Sequence, residues 1–211
     1  MSKPVKKIKY KNITISGLPG AGSTTLAKSL SNHLGWKYFS GGDFLRQYAI
    51  KNKLFDGNQK IHHDQSIMPD EADRQVDYGM RKTVQQKSSN VLDSWLSGFM
   101  TYGVSGVLRI LVVCSNDNVR VDRIVNRDDL SIAEAKHHIF DREAKNRQKW
   151  TRMYAQEWQD WVVKKEVVEP DDPIDFWDPR LYDFIIDTFS NSKDQTLKKV
   201  LEELEDNGEI T

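Results

Sequence analysis

Gly17-Leu18-Pro19-Gly20-Ala21-Gly22-Ser23-Thr24 follows the apolar run Ile13-Thr14-Ile15-Ser16 and precedes Leu26, Leu30 and Leu34 at helical spacing. Strand, glycine-rich turn and helix in that order make an anion site. Glycines let consecutive backbone N–H groups turn toward the oxygens of a phosphate, and the helix N-terminus adds its partial positive charge. The usual spacing is G-x-x-x-x-G-K-[ST]. Gly17, Gly22 and Thr24 fit it, but Ser23 stands where the lysine belongs. A hydroxyl donates a hydrogen bond without neutralising charge, and one lost charge-assisted contact costs about 1.5–3 kcal/mol unless another cation replaces it. Thr24 retains the hydroxyl that holds Mg²⁺ in such loops.

Outward from this turn, short apolar runs alternate with longer amphipathic stretches, which predicts an α/β fold with a central parallel sheet between helical layers. Strands are expected at 13–16, 37–39, 90–93, 109–114 and 184–187. Helices are expected after the glycine turn, from Phe44, over 70–88, through Val119–Val125, after the Ser131/Glu134 capping box, along the stripe Trp150, Met153, Tyr154, Trp158, Trp161, Val162, and through Leu197–Leu201. The tryptophans of that stripe read as core. Residues 51–69 read as a polar loop, and 169–179 as an acidic, proline-broken segment. Asp93 closes an apolar strand, the place for a carboxylate that holds Mg²⁺ through water.

Lys+Arg and Asp+Glu each total 31, so net charge gives no reason to expect a nucleic-acid partner. The basic leader with Lys3, Lys6, Lys7, Lys9 and Lys11 reads as a solvated segment. Cys114, the single cysteine, reads as a buried strand thiol in a reducing compartment. No apolar run approaches the roughly 18 residues that span a bilayer, so a cytoplasmic protein without a membrane partner is expected. A chain of 211 residues is expected to form one domain, with a monomer favoured. His62, His63, His137 and His138 do not suggest a shared metal, since adjacent histidines on a helix face different ways.

Together these segments resemble the P-loop nucleoside monophosphate kinases, most closely the compact archaeal-type cytidylate kinases, over nearly the whole chain. The phosphate loop through Thr25, Ser40-Gly41-Gly42-Asp43-Phe44-Leu45-Arg46, Arg120–Asp128, Ser131–Tyr154 and Tyr182–Thr188 carry the likeness. The resemblance implies a core over 12–130 and 180–205, an acceptor lobe over about 40–88 and a helical lid over about 128–155. It implies ATP and Mg²⁺ held by Gly17, Pro19, Gly20, Ala21, Gly22, Ser23, Thr24, Thr25 and Arg123, with Thr24 and Asp93 on the metal. It places the acceptor nucleotide on Ser40, Asp43, Arg46 and Asp77. Arg127, Arg142 and Arg147 would neutralise the moving phosphoryl group and replace the lysine missing at Ser23.

Two departures matter. The family commonly follows the strand acid with glycine and arginine, whereas Asp93 is followed by Ser94 and Trp95. Trp95 can stack on an acceptor base but cannot hold phosphate. The turn at Ser40 also resembles adenylate kinases, so an adenylate or other small-molecule kinase stays open beside a (d)CMP kinase. A nucleotide sensor without catalysis stays open as well. Arg142 and Arg147 would equally suit a solvated helix face with i,i+4 pairs.

Overall fold

The computed structural model describes residues 8–54 and 68–205. The leader through Lys7 and residues 55–67 of the expected loop, with His62, His63 and Asp64, lie outside the described residues. Strands β1 (Asn12–Gly17), β2 (Lys37–Ser40), β3 (Asn90–Asp93), β4 (Val107–Val113) and β5 (Phe184–Asp187) form one parallel sheet in the order β2-β3-β1-β4-β5. Register sets Asp93 opposite Ile15 on one side and Ser40 on the other. The carboxyl ends of β1, β2 and β3 therefore deliver Gly17, Ser40 and Asp93 to the same edge of the sheet.

The helices are α1 (Ser23–Leu34), α2 (Gly41–Lys51), α3 (Asp70–Gln86), α4 (Ser97–Met100), α5 (Asp117–Asp128), α6 (Ile132–Lys136), α7 (Arg142–Met153), α8 (Ala155–Trp161) and α9 (Lys193–Leu204). A π-turn, His137–Asp141, joins α6 to α7. Strand alternation explains the layers. Ile13 and Ile15 pack with Leu26, Leu30, Val200 and Leu204 of α1 and α9. Thr14 and Ser16 face the other side, where their hydroxyls bond those of Thr101 and Ser97 at 3.3 and 3.1 Å. Beyond them lie Phe99, Trp150, Tyr154, Trp158, Phe176 and Tyr182 in one aromatic cluster. The expected three-layer fold is present.

Several boundaries move for local reasons. The helix expected from Phe44 starts at Gly41, because Ser40 accepts a hydrogen bond from the Asp43 N–H and so caps it. The helix expected at Val119 starts at Asp117, capped by Asn116, and ends where Asp129 takes a left-handed φ of 52°. Cys114 sits just past the end of β4 rather than in it, still buried. Helix α4, at 4 residues, is too short to show periodicity.

The acidic segment 169–179 buries Phe176 and Trp177 in the aromatic cluster and turns its charges outward. Phe176 centres on Phe99 at 4.7 Å, and Tyr182 donates to its carbonyl at 2.8 Å. Gly98 permits this close approach, since a Cβ there would lie 2.2 Å from the buried Tyr182 ring. Gly98→Ala should therefore destabilise the fold by about 1–3 kcal/mol, read as a lowered denaturant midpoint with an unchanged slope. An unaltered midpoint would show that the Tyr182 ring can yield.

Candidate active site

One cleft of about 1200 Å³ runs along the carboxyl edge of the sheet, from the glycine loop past Asp93 to Ser40 and Arg46. The loop leaves β1 at Gly17 and enters α1 at Ser23. Gly20 and Gly22 take φ values of 80° and 99°, and a Cβ on Gly20 would meet the Arg120 carbonyl at 2.7 Å. No side chain caps α1 at Gly22, whereas Ser40, Asn116, Ser131 and Ser192 cap α2, α5, α6 and α9. The first N–H groups of α1 thus have no capping side chain in competition with a ligand. The loop's carbonyls are occupied instead. Arg120 donates to Pro19 O at 3.0 Å, Arg123 to Gly20 O at 3.0 Å, and Thr188 to Ala21 O at 2.7 Å.

Asp93 is buried beside the loop and accepts a 2.7 Å hydrogen bond from Thr24 Oγ1 and a 3.3 Å one from Tyr38. Burial raises its pKa to about 6, although the hydroxyls of Thr24, Tyr38 and Ser23 pull the other way. A buried carboxylate carrying only hydroxyl partners, next to an uncapped phosphate loop, suits a divalent cation. Among the described residues no group of three or more His, Cys, Asp or Glu side chains could hold a metal by itself. The donor set fits Mg²⁺, which keeps waters and takes nucleotide oxygens alongside one or two protein groups.

On the acceptor side, Ser40 lines the cleft with Asp43 and Arg46, which pair with each other at 2.9 Å. Trp95 forms the wall beyond Asp93, edge-on to Trp150 at 5.3 Å, and the Arg142 guanidinium lies 4.9 Å from its ring centre. Arg142 and Arg127 both line the cleft, the latter paired with Asp128 at 2.6 Å. Arg123 lines it too, but its guanidinium holds Gly20 and Thr188.

Three expected residues are not brought to the cleft. Arg147 pairs with Asp175 at 2.9 Å, draws toward Glu143 at 3.6 Å and stacks on Trp177, so it ties α7 to the acidic segment. Asp77 is buried under α7, accepting from Tyr154 at 2.7 Å, and burial raises its pKa to about 7. Ala21 is buried, its carbonyl turned to Thr188 and Arg123.

Other lining residues carried no clear sequence signal. The turn Phe189-Ser190-Asn191-Ser192, Lys193 and Asn126 also line the cleft. Lys28, one helical turn past Thr24, brings a cation that the helical period alone would have placed there. Asn146 lies on α7 with 0% exposure, and neither its Nδ2 nor its Oδ1 has a hydrogen-bond partner among the described residues. Each such buried, unpaired group costs about 1–3 kcal/mol.

The chain is 31% identical over 153 residues to a cytidylate kinase of Halobacterium salinarum, spanning 72% of this chain and 76% of that one. It is 31% identical over 177 residues to a cytidylate kinase of Pyrococcus abyssi, spanning 83% of each. Solved structures share the fold alone. A shikimate kinase from Acinetobacter baumannii aligns with a TM-score of 0.51 at 12% identity, over 92% of each chain. An uncharacterized protein from Eubacterium ventriosum aligns at 0.58 and 14% identity, over 92% of this chain and 98% of that one. Residues 12–190, from the first strand to just past the last, match the description of one family: the chain belongs to the cytidylate kinase-like family.

Proposed function

We propose that this protein transfers the γ-phosphoryl group of ATP to CMP or dCMP, giving ADP and the pyrimidine diphosphate. The carrying observation is the shared cleft: an uncapped phosphate loop and buried Asp93 at one end, with Ser40 and Arg46 at the other. An acceptor phosphate oxygen attacks the γ-phosphorus while the bridging bond to the β-phosphate breaks, so the chain must supply alignment and positive charge.

Loop N–H groups and the α1 N-terminus hold the ATP phosphates. Thr24 and Asp93 would hold Mg²⁺, which supplies charge neutralisation on the phosphate oxygens when bound. Arg46 leaves Asp43 to hold the acceptor phosphate, and Arg127 and Arg142 turn to the transferring group. The present partners of Arg46 and Arg127 are weak enough to exchange, because exposed ion pairs contribute about 0–1 kcal/mol while hydrogen bonds to a charged group contribute about 1.5–3. Closure of the lid over 128–155 would bring them in and exclude water. Arg147, held by Asp175, positions the lid rather than meeting phosphate.

No helix among the described residues is long and apolar enough to cross a membrane. We place the enzyme in the cytoplasm with nucleotides as its partners, and as a monomer without nucleic acid.

A coupled assay with ATP, Mg²⁺ and each of CMP, dCMP, UMP, AMP and GMP should give the highest kcat/KM with CMP or dCMP. Preference for AMP would remove the cytidylate assignment, and no turnover with any acceptor would sink the kinase reading in favour of a sensor. Arg142→Ala should lower kcat by about 10²–10³ with the ATP Kd nearly unchanged, and equal kinetics would make Arg142 a structural residue.

Asp93→Asn separates function from stability. The folded pKa of about 6 lies above the ordinary carboxylate value of 3.8, so the native state binds the proton more tightly. Ligand-free stability at this site therefore rises as pH falls from about 7 toward 4, and the charge is a burden at neutral pH. The asparagine variant should have a higher ligand-free Tm at pH 7, a flatter Tm–pH profile and severely reduced kcat. A lower Tm with the same pH slope would show that Asp93 is not the titrating group.

A further inference from the structure

Arg142, Asn146 and Trp150 follow one another at four-residue spacing on α7 and so share a face. Arg142 lines the cleft, and Trp150 packs against Trp95, which also lines it. Asn146 stands between them at 0% exposure with both amide atoms unpartnered among the described residues. The indole Nε1 of Trp177, packed on the same Trp95 ring, is likewise buried without an acceptor. Buried polar groups in folded proteins are almost always paired, and a leucine of similar size would fill this site without leaving a donor or acceptor bare. The carboxamide thus points to a state in which something polar lies beside it.

We propose that Asn146 is a specificity-determining contact for the acceptor base, donating from Nδ2 to cytosine N3 and accepting at Oδ1 from cytosine N4–H. The assignment rests on the cleft being a CMP site. A carboxamide carries one donor group and one acceptor side by side in a plane. Cytosine presents the complementary pair, as adenine does to the asparagines that read it in DNA. A carboxylate matches only half of that edge. Trp95 supplies the flat apolar face on which the ring rests.

Asn146 is not itself part of the cleft wall, and Arg142 covers the Trp95 face from 4.9 Å. When Arg142 turns to the transferring phosphoryl group, that face is bared and the base takes the guanidinium's place, within reach of the next turn of α7. Phosphate recognition and base recognition are then one event.

Isothermal titration of the full chain with CMP, dCMP and a non-hydrolysable ATP analogue tests this, using Asn146→Leu and Asn146→Asp, with Tm recorded for each. Asn146→Leu should keep or raise the Tm, weaken CMP and dCMP alike by tenfold or more, and hold the ATP analogue within twofold. Asn146→Asp should also weaken CMP and dCMP equally, because a carboxylate repels N3. Should the leucine variant not fold, Asn146→Ala gives the same comparison. Unchanged CMP affinity in Asn146→Leu would overturn the proposal and make the amide an internal, water-bonded core group. Weakened CMP but unchanged dCMP binding in Asn146→Leu would also overturn it, assigning the amide to the ribose hydroxyl. A wild-type protein that binds AMP and not CMP would instead overturn the reading of the cleft.

Discussion

The clamp of α5 on the outside of the glycine loop is the constraint from which the site follows. Arg120 and Arg123 bind the Pro19 and Gly20 carbonyls from behind, each at 3.0 Å. Gly20 and Gly22 take positive φ in this turn. With its carbonyls fixed outward and no side chain capping α1, the loop keeps its donors for an anion. Parallel pairing then does the rest. Because β3 lies between β1 and β2, a carboxylate at its end must stand between the loop and the Ser40 turn.

The missing lysine changes how charge is arranged rather than whether it is present. Ser23 offers Asp93 a hydroxyl where the usual loop has a lysine, and burial dominates its pKa. Three of the cleft's arginines are engaged away from the loop: Arg46 with Asp43, Arg127 with Asp128, Arg142 on the Trp95 face. A lysine fixed in the loop would bind phosphate in every conformation. Arginines that must exchange weak partners for phosphate oxygens bind strongly only when the cleft has closed on both nucleotides, which ties charge neutralisation to productive assembly.

The sheet, its layers and the phosphate loop were legible because they rest on period and on glycine spacing, signals that survive in a single sequence. The Ser131/Glu134 capping box and the core positions of Trp150 and Trp158 were read from local residue type and hold in three dimensions, Trp161 being only partly buried. Thr24 and Asp93, both read as metal-holding, lie in hydrogen-bond contact. Arg147 and Asp77 lie outside the cleft, for a shared reason. Both lie on helices whose charged residues look alike along the chain, and tertiary partners decide which way each faces. Asp175 draws Arg147 away, and Tyr154 buries Asp77. Asn146 was invisible for the opposite reason, as an isolated asparagine in a highly charged helix gives no sign that it is buried.

The helical stretch 132–154 is anchored unevenly. Its C-terminal half is bound to α3: Lys149 pairs with buried Asp73 at 2.6 Å, Arg152 with Asp70 at 2.8 Å, and Tyr154 bonds Asp77. Its N-terminal piece belongs elsewhere, since Ala135 and Ile139 pack with Val121 and Ile124 of α5, the helix that grips the phosphate loop. Between them lies the π-turn His137–Asp141, whose extra residue rotates α7 relative to α6. One face therefore docks on the donor side while Arg142, Asn146 and Trp150 face the acceptor side. The buried Lys149–Asp73 pair resists breaking far more than the exposed pairs do, because separation would leave an uncompensated charge inside. Arg142, the first residue of α7, thus stands where the part packed on α5 meets the part paired with α3.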